Sequence, residues 1–150
     1  MEYYVYTDGS CRIESHVAGS AFIILTKKRY IKCECESFVS RFAFEAEINA
    51  VIMALRYANQ KLNLNNSDNM IIYVDSVKTI NLCNAIKNND KSVDSHVPLY
   101  DDLKCQVEEL ICTCPNVVFE KVHAHQKTFN TNKVVDCLAK VAIQHCKVRV

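Results

Sequence analysis

Tryptophan is absent from the sequence, and glycine and proline occur only twice each in 150 residues. With so few chain breakers and no repeat or low-complexity tract, a flexible linker or a second domain is not expected. No apolar run approaches the roughly 18 residues of a membrane span, and no signal segment follows Met1. We therefore expect one domain over residues 1–150, in a monomeric intracellular protein of the cytoplasm, or alternatively of the nucleus, that has no membrane partner.

The net charge and the cysteine content say less about the function of the protein. The formal net charge is +1, which neither indicates nor excludes a nucleic-acid partner, because a cluster of metal-binding acids would offset a basic surface in the sum. The nine cysteines are odd in number and irregularly spaced, which is typical of reduced thiols in an intracellular protein.

Two pairs of cysteines raise the alternative of a zinc site. Cys33 and Cys35 form one pair, and Cys112 and Cys114 form the other, so four thiolates could bind tetrahedrally. The spacing matches no zinc ribbon or knuckle. Because Cys33 and Cys35 alternate with charged residues, we expect them on the core-facing side of a strand, where a thiol packs as a small apolar group. Packing is therefore the preferred interpretation.

The first third of the chain has the pattern of a strand meander. Residues 3–6 and 19–25 are apolar runs, and residues 30–38 alternate between apolar and charged side chains, as in a half-exposed antiparallel strand. The basic turn at 27–29 between the last two is expected to be solvated. These runs predict three consecutive antiparallel strands.

Helical periodicity then alternates with two further strands. Apolar residues recur at helical spacing after Phe44 and again after Ser76, a good N-cap residue, and after Pro98. The runs 70–74 and 117–119 are strands, residues 123–131 are a loop, and a last helix carries Val135, Leu138, Ala139, Ala142 and Cys146. This order predicts a mixed sheet with helices on its faces.

Four acidic residues stand at positions where this fold collects ligands. Asp8 and Asp75 end the first and fourth strands, Glu47 lies near the start of a helix, and Asp136 lies in the first turn of the last helix. Ligands bind at the carboxyl ends of parallel strands, so the four side chains converge if the first and fourth strands are neighbours. Such a cluster predicts a divalent-metal site. Glu45 replaces Glu47 as the ligand if its helix begins earlier.

These residues lie in motifs that resemble type I ribonuclease H, including the domain found in retroviral reverse transcriptases. The motifs occur in the family's order and span nearly the whole chain. They are Tyr6-Thr-Asp8-Gly-Ser-Cys11, Ala46-Glu47-Ile48-Asn-Ala50, Tyr73-Val-Asp75-Ser76, His125, and Asn132-Lys-Val-Val-Asp136-Cys-Leu138-Ala139.

The resemblance implies an α/β ribonuclease H-like fold, with a five-stranded mixed sheet in the order 3-2-1-4-5 and helices on both faces. It implies a metal-dependent endonuclease that hydrolyses the RNA strand of an RNA–DNA hybrid with two Mg²⁺ ions, or Mn²⁺ as an alternative. Asp8 would bridge both ions. Glu47 and Asp75 would hold one side, with Glu47 also near the ribose 2′-hydroxyl, and Asp136 would hold the other side.

The resemblance also implies roles in proton handling and substrate contact. His125 matches a mobile histidine that helps proton handling or product release, with His123 as a rival. Nucleic-acid contacts are implied for motif residues and a neighbouring lysine: Gly9, Ser10, Cys11, Ser76, Lys127 and Asn132. Cys11 also has a packing interpretation. Four lysines near the last strand and helix are candidates for phosphate contact: Lys121, Lys127, Lys133 and Lys140.

The chain departs from the family where the substrate is recognised. Phe42-Ala43-Phe44 stands where a Thr-Asn-Asn-like stretch is common, and Val77 stands where a glutamine is common. Residues 12–17 replace a glycine-rich turn, and a basic, tryptophan-bearing handle is missing. Two alternatives follow. One is a nucleic-acid-binding domain with weak or no cleavage, and the other is a nuclease for different structured or single-stranded nucleic acid.

Overall fold

The computed structural model describes residues 1–40, 42–122 and 131–144, with the side chains of Ile13 and Asn132 left aside. Within these residues the chain forms five strands and four α-helices, and a short 3₁₀ turn at Ile13–Ser15. In chain order the elements are β1 (Glu2–Arg12), β2 (Val17–Leu25), β3 (Tyr30–Val39), α1 (Ala43–Lys61), β4 (Asn69–Val74), α2 (Val77–Lys87), α3 (Tyr100–Thr113), β5 (Asn116–Lys121) and α4 (Thr131–Gln144).

The strands form one mixed sheet in the order β3-β2-β1-β4-β5. β1 pairs antiparallel with β2 and parallel with β4, so the first and fourth strands are neighbours. β2 pairs antiparallel with β3, and β4 pairs parallel with β5. This is the predicted fold, and the predicted strand order is confirmed.

Two apolar cores lie on opposite faces of the sheet. The larger core packs α1, α2 and α3 against strand residues such as Val5, Phe22 and Ile72. The smaller core packs Val135 and Ala139 of α4 against the alternate residues Ala21 and Ile23 of β2. Helices therefore cover both faces, as the period-2 alternation of side chains along β2 requires.

The first strand is longer than the sequence predicted. The expected turn at Asp8 is absent, because β1 continues to Arg12 and stays paired with β2, from Tyr4 opposite Leu25 to Arg12 opposite Val17. The prediction that Asp8 ends a strand was therefore wrong for the antiparallel ladder. It holds only for the parallel ladder with β4, which stops at Tyr6 and Tyr73.

The sheet edge at β3 also differs from expectation. Cys33 and Cys35 are exposed, although their alternation had predicted the core face. They lie opposite Ile23 and Ala21 of β2, which α4 covers. Alternation reports which residues share a face, but it does not report how far a helix reaches over an edge strand. Among the described helices, none combines the length and the apolar character needed to cross a membrane.

Candidate active site

Asp8 lies at the point where β1 loses its parallel neighbour. The Thr7 hydroxyl donates to the Tyr73 carbonyl at 3.1 Å, and the rings of Tyr6 and Tyr73 stack with centroids 4.8 Å apart. These contacts fasten β1 to β4 up to the last parallel pair, and Asp8 follows directly. Asp8 is only 6% exposed, so its carboxylate is buried and does not lie on an open surface.

Asp75 follows the neighbouring strand β4, and it is exposed. The next residue, Ser76, is the N-cap of α2, and its Oγ accepts a hydrogen bond from the Thr79 N–H at 3.2 Å. The predicted N-cap is thus confirmed. Because the cap turns the chain into α2 directly after Asp75, this carboxylate stays at the carboxyl edge of β4, next to the end of the parallel ladder.

Glu47 lies in the second turn of α1. Gly9 determines how closely β1 approaches this turn. A Cβ on Gly9 would collide with the backbone of Ala46 and Glu47, so only glycine lets β1 pass so close to α1. Glu45 occupies a different place, where its Oε2 accepts from Ser40 Oγ at 2.9 Å. The structure therefore places Glu47, and not the alternative Glu45, beside Asp8.

Asp136 lies on α4, which packs on the face of the sheet opposite α1. Gly19, the other glycine of the sequence, lets α4 cross close to β2. A Cβ on Gly19 would collide with the Ala139 carbonyl of α4 and crowd Ile143. The two glycines of the sequence therefore allow close packing of α1 and α4, the helices that carry the candidate ligands Glu47 and Asp136. Because α4 begins at Thr131, Asp136 lies in the second turn of the helix, so its predicted place in the first turn was wrong.

Burial and mutual repulsion raise the pKa of two of these carboxyl groups. Desolvation is the largest cause for Asp8, whose pKa rises to about 7 with a further contribution from neighbouring Asp136. Desolvation, followed by the charge of Asp8, raises the pKa of Glu47 to about 9. The Gly9 N–H, which donates to Asp8 Oδ1 at 2.9 Å, opposes both shifts. Asp8 and Glu47 are thus close enough to share a proton.

The other two candidate carboxylates, Asp136 and Asp75, have different surroundings. Asp136 Oδ2 pairs with Lys140 Nζ at 3.0 Å, and both side chains are substantially exposed. Hydrogen bonding to Asp136 raises the pKa of the Lys140 ammonium. Asp75 adds to the repulsion felt by Glu47, although it is the weakest of the causes acting there. The sequence had offered Lys140 only as a phosphate contact, and its pairing with Asp136 depends on the i, i+4 spacing in α4.

This donor set fits a hard divalent cation. Glu47 Oε2 is buried and has no hydrogen-bond partner in the part of the chain that the structure describes. A buried oxygen with no donor, beside a second desolvated carboxylate, is stabilised by a nearby positive charge. No three His, Cys, Asp or Glu side chains among the described residues stand close enough to hold one ion as they are placed. Without a cation, repulsion between the acids favours such a separation.

The remaining predicted site residues divide into two groups. Ser10 and Cys11 are half-buried on β1 beyond Gly9, and Cys11 Sγ donates to the Ser40 carbonyl at 3.3 Å, which ties β1 to the segment before α1. His125, its rival His123 and Lys127 lie outside the described residues, as does the side chain of Asn132. Their predicted roles stay predictions.

Comparison with known proteins shows the family. A sequence model of the RNase H family matches residues 1–144. A comparison with curated protein sequences gives no match. The family uses divalent metal ions in general, in agreement with the carboxylate cluster.

Solved structures show the same fold. The native prototype foamy virus protease-reverse transcriptase is 20% identical with a TM-score of 0.75, and the match covers 97% of this chain and 21% of that one. RNase H1 from the archaeon Halobacterium salinarum is 17% identical with a TM-score of 0.70, covering 97% and 100%. LC11-RNase H1 from a compost metagenome, solved with an RNA/DNA hybrid, is 18% identical with a TM-score of 0.68, covering 95% and 96%.

The chain therefore spans about a fifth of the foamy virus protease-reverse transcriptase and nearly the full length of the other two proteins. At these identities the structural matches establish the fold, while the family match extends over almost the entire sequence. The sequence motifs and the strand order agree with it. The chain belongs to the ribonuclease H family of enzymes.

Proposed function

We propose that this chain is an endonuclease that hydrolyses the RNA strand of RNA–DNA hybrids, as a monomer, with two Mg²⁺ ions held by Asp8, Glu47, Asp75 and Asp136. One observation carries the proposal. In a member of this family, Asp8 and Glu47 lie side by side with their carboxyl groups desolvated, and both have pKa values raised well above the ordinary range of carboxyl groups.

The position of each carboxylate suggests its role in binding the two ions. Asp8 interacts with both Glu47 and Asp136, so it is the group suited to contact both ions. Glu47 and Asp75 interact with each other on one side, and Asp136 lies on the other. When bound, the two ions would activate the attacking water and stabilise the leaving 3′-oxygen of an in-line displacement. Mn²⁺ is the alternative ion.

The protein groups would orient these ligands and manage protons. The Gly9 N–H holds Asp8 through Oδ1, and the Ser76 cap fixes the start of α2 immediately after Asp75. Because Glu47 carries a raised pKa, it would release its proton when a cation binds. His125 would assist proton handling or product release. Slower turnover in His125→Ala, measured against His123→Ala, would support that role, and equal rates would remove it.

Two exposed apolar residues near the candidate ligands in sequence favour a second candidate function. Phe42 and Val77 are among the most exposed large apolar residues, and neither can donate a hydrogen bond to a ribose 2′-hydroxyl. A nucleic-acid-binding domain that cleaves poorly, or a nuclease with broader substrates, would carry such a surface. The four carboxylates favour cleavage over binding alone.

A substrate panel tests the proposal. A uniform RNA–DNA hybrid is compared with double-stranded RNA, double-stranded DNA and single strands, in Mg²⁺, in Mn²⁺ and with chelator. We expect metal-dependent cutting of the hybrid's RNA strand only. Asp8→Asn should lower the rate by at least about 10²-fold, because it removes a charged ligand from the centre of the cluster.

The matched control is Asp101→Asn, which removes an exposed acid from the first turn of α3 and should keep normal activity. Normal turnover in Asp8→Asn would refute the site assignment. Cutting of every duplex with equal efficiency would support the broader nuclease, and hybrid binding without cutting in either metal would support the binding domain.

A further inference from the structure

A buried serine hydroxyl links the sheet to the helix that carries Glu47. Ser20 lies in β2 and is fully buried, with 0% of its surface exposed. Its Oγ donates to the backbone carbonyl of Ala46 at 2.7 Å, across 26 residues of sequence. Ala46 directly precedes Glu47 in α1, so this carbonyl belongs to the peptide unit that joins the two residues. The hydrogen bond therefore holds the backbone from which the Glu47 side chain extends.

The register of the sheet explains why Ser20 faces this helix. Ser20 lies opposite Gly9 in the antiparallel ladder of β1 and β2, so the two residues share one face of the sheet. Gly9 passes so close to Ala46 and Glu47 that any Cβ would collide with their backbone. Two cross-strand partners thus meet the same peptide unit of α1. Gly9 meets it by close packing, and Ser20 meets it by a hydrogen bond.

The Ser20 hydroxyl is not needed to complete the secondary structure. Inside an α-helix the Ala46 carbonyl accepts the N–H of residue 50, and Ser20 uses the second lone pair of the same oxygen. Alanine fills the fully buried positions 18 and 21 of the same strand without any polar group to satisfy. A buried hydroxyl costs free energy unless it is hydrogen-bonded. What serine adds at position 20 is therefore its bond to α1.

The neighbouring carboxylates give this bond a function. Glu47 and Asp8 lie side by side with their carboxyl groups desolvated, and two charged carboxylates repel each other strongly in such surroundings. Close packing at Gly9 limits how near α1 comes to β1, but it does not oppose their separation. A hydrogen bond is attractive and directional, so it does oppose separation. Ser20 therefore acts against the repulsion that would move Glu47 away from Asp8.

We propose that Ser20 is a positioning residue for the reaction, whose hydroxyl holds the Ala46 carbonyl against the sheet and so keeps the Glu47 carboxylate beside Asp8. This inference rests on the proposed function, since the position of Glu47 matters only if Glu47 binds a metal ion there. Ser20 itself contacts neither the cation nor the nucleic acid and acts through α1. Its loss should therefore weaken metal binding and slow cleavage, and it should change hybrid binding little.

The test measures Mg²⁺ binding to the metal-free protein by titration calorimetry, together with steady-state cleavage of an RNA–DNA hybrid. Ser20→Ala removes the hydroxyl without adding an atom. The Kd for Mg²⁺ should rise about 10-fold and kcat should fall about 10-fold, as for the loss of a group that orients a metal ligand. The KM for the hybrid should stay within about 2-fold of the parent's, because no group that binds the hybrid is removed.

Matched variants separate positioning from stability. Ser20→Thr keeps the hydroxyl and should bind Mg²⁺ nearly as tightly as the parent. Thr79→Val removes a fully buried hydroxyl that has no hydrogen-bond partner in the described part of the chain, and it should change neither Mg²⁺ affinity nor kcat. Ile24→Val removes a methylene group from β2 in the larger core. It should lower the melting temperature by about 2–4 °C, much as Ser20→Ala does, without changing either quantity.

An added methyl group at position 20 could itself disturb the buried packing. If Ser20→Thr melts below the parent, Ser20→Cys replaces it as the rescue variant, because cysteine is close to serine in size and keeps a weak donor. Its Mg²⁺ affinity should then lie between those of the parent and Ser20→Ala. A rescue variant that melts with the parent but binds Mg²⁺ as weakly as Ser20→Ala would overturn the proposal.

The remaining outcomes also decide the proposal. Parental Mg²⁺ affinity and kcat in Ser20→Ala would overturn it. So would equal losses in Ile24→Val, because the effect would then follow from lower stability. A parent that binds Mg²⁺ but cuts no hybrid refutes the proposed function, while the comparison of Mg²⁺ affinities still tests this inference. A parent that cuts the hybrid and is matched by Ser20→Ala refutes this inference alone, and a parent that binds no Mg²⁺ refutes both.

Discussion

The four carboxylates of the candidate site form two pairs that differ in their surroundings. Asp8 and Glu47 lie where β1 passes close to α1, and Asp8 is 6% exposed. Asp75 is exposed at the end of β4, and the Asp136 side chain is 40% exposed on α4. The inner pair, Asp8 and Glu47, has raised pKa values. In the outer pair, Asp75 and Asp136, the Asp136 carboxylate has Lys140 beside it.

The comparison shows that the electrostatic cost of folding falls on the inner pair. The inner pair loses hydration and gains repulsion, so without a cation it destabilises the fold at neutral pH. The outer pair stays hydrated and can approach a cation without that cost. A cation bound among the four would therefore act chiefly on the inner pair, and the outer pair would complete its coordination.

The largest effect on folding is expected where β1 passes the inner pair. Gly9→Ala forces a Cβ against the Ala46–Glu47 backbone, and it should cost about 2–3 kcal/mol of unfolding free energy. Because Glu47 moves with that backbone, hybrid cleavage should also be lost. Gly19→Ala should destabilise comparably through α4 but disturb Asp136 and leave Glu47 in place.

Chemical denaturation with and without Mg²⁺ measures both effects. Asn69→Ala, at an exposed strand position, serves as the control and should change neither stability nor activity. Full activity in a stable Gly9→Ala protein would show that the close approach does not position Glu47.

The second prediction concerns pH. The folded pKa values of Asp8 and Glu47, about 7 and about 9, lie above their ordinary values of 3.8 and 4.5, so the folded protein binds more protons than the unfolded chain between these limits. Stability of the metal-free protein should therefore be greatest near pH 4 and fall as pH rises towards 9. The decrease should amount to several kcal/mol, because each of the two shifts covers several pH units.

Mg²⁺ should reverse that trend above pH 7, because the cation favours the ionised carboxylates. Glu47→Gln should flatten the metal-free profile, while Asp75→Asn, at the exposed pair, should leave most of its slope. A profile that rises with pH in chelator would contradict the inner pair's assignment.

The smallest effect is expected at Lys140. Its ammonium competes with a cation for Asp136, so Lys140→Met should tighten Mg²⁺ binding by about 2- to 5-fold, as for a partly screened surface pair. Titration calorimetry would measure the change, with Lys133→Met on the same helix as the control. Weaker binding in Lys140→Met would show instead that Lys140 organises Asp136 for the metal.

Much of this arrangement could be predicted because local patterns fixed it. The apolar run 70–74 with Ser76 as a helix cap places Asp75 at a strand's carboxyl edge, and both features are confirmed. The switch from strand alternation to helical spacing at Phe44 locates α1 and hence Glu47. Local patterns also predict a mixed sheet, and the resemblance to the family supplied the order that the structure has.

The features that escaped prediction depend on contacts between distant segments. Nothing local shows that Gly9 and Gly19 lie under α1 and α4, since their need for a bare Cα arises only when a helix crosses them. The exposure of Cys33 and Cys35 depends on where α4 stops covering the sheet. The raised pKa of Glu47 likewise follows from burial beside Asp8, which sequence spacing does not reveal.

The central claim is that the inner and outer carboxylates together bind divalent cations. The most direct measurement is a crystal structure of the protein grown with Mn²⁺, using the anomalous signal of the metal. We expect two Mn²⁺ sites that share an Asp8 oxygen, with Glu47 and Asp75 on one ion, Asp136 on the other, and Lys140 moved away from Asp136. Manganese bound only elsewhere, or none within coordination distance of Asp8, would contradict the account.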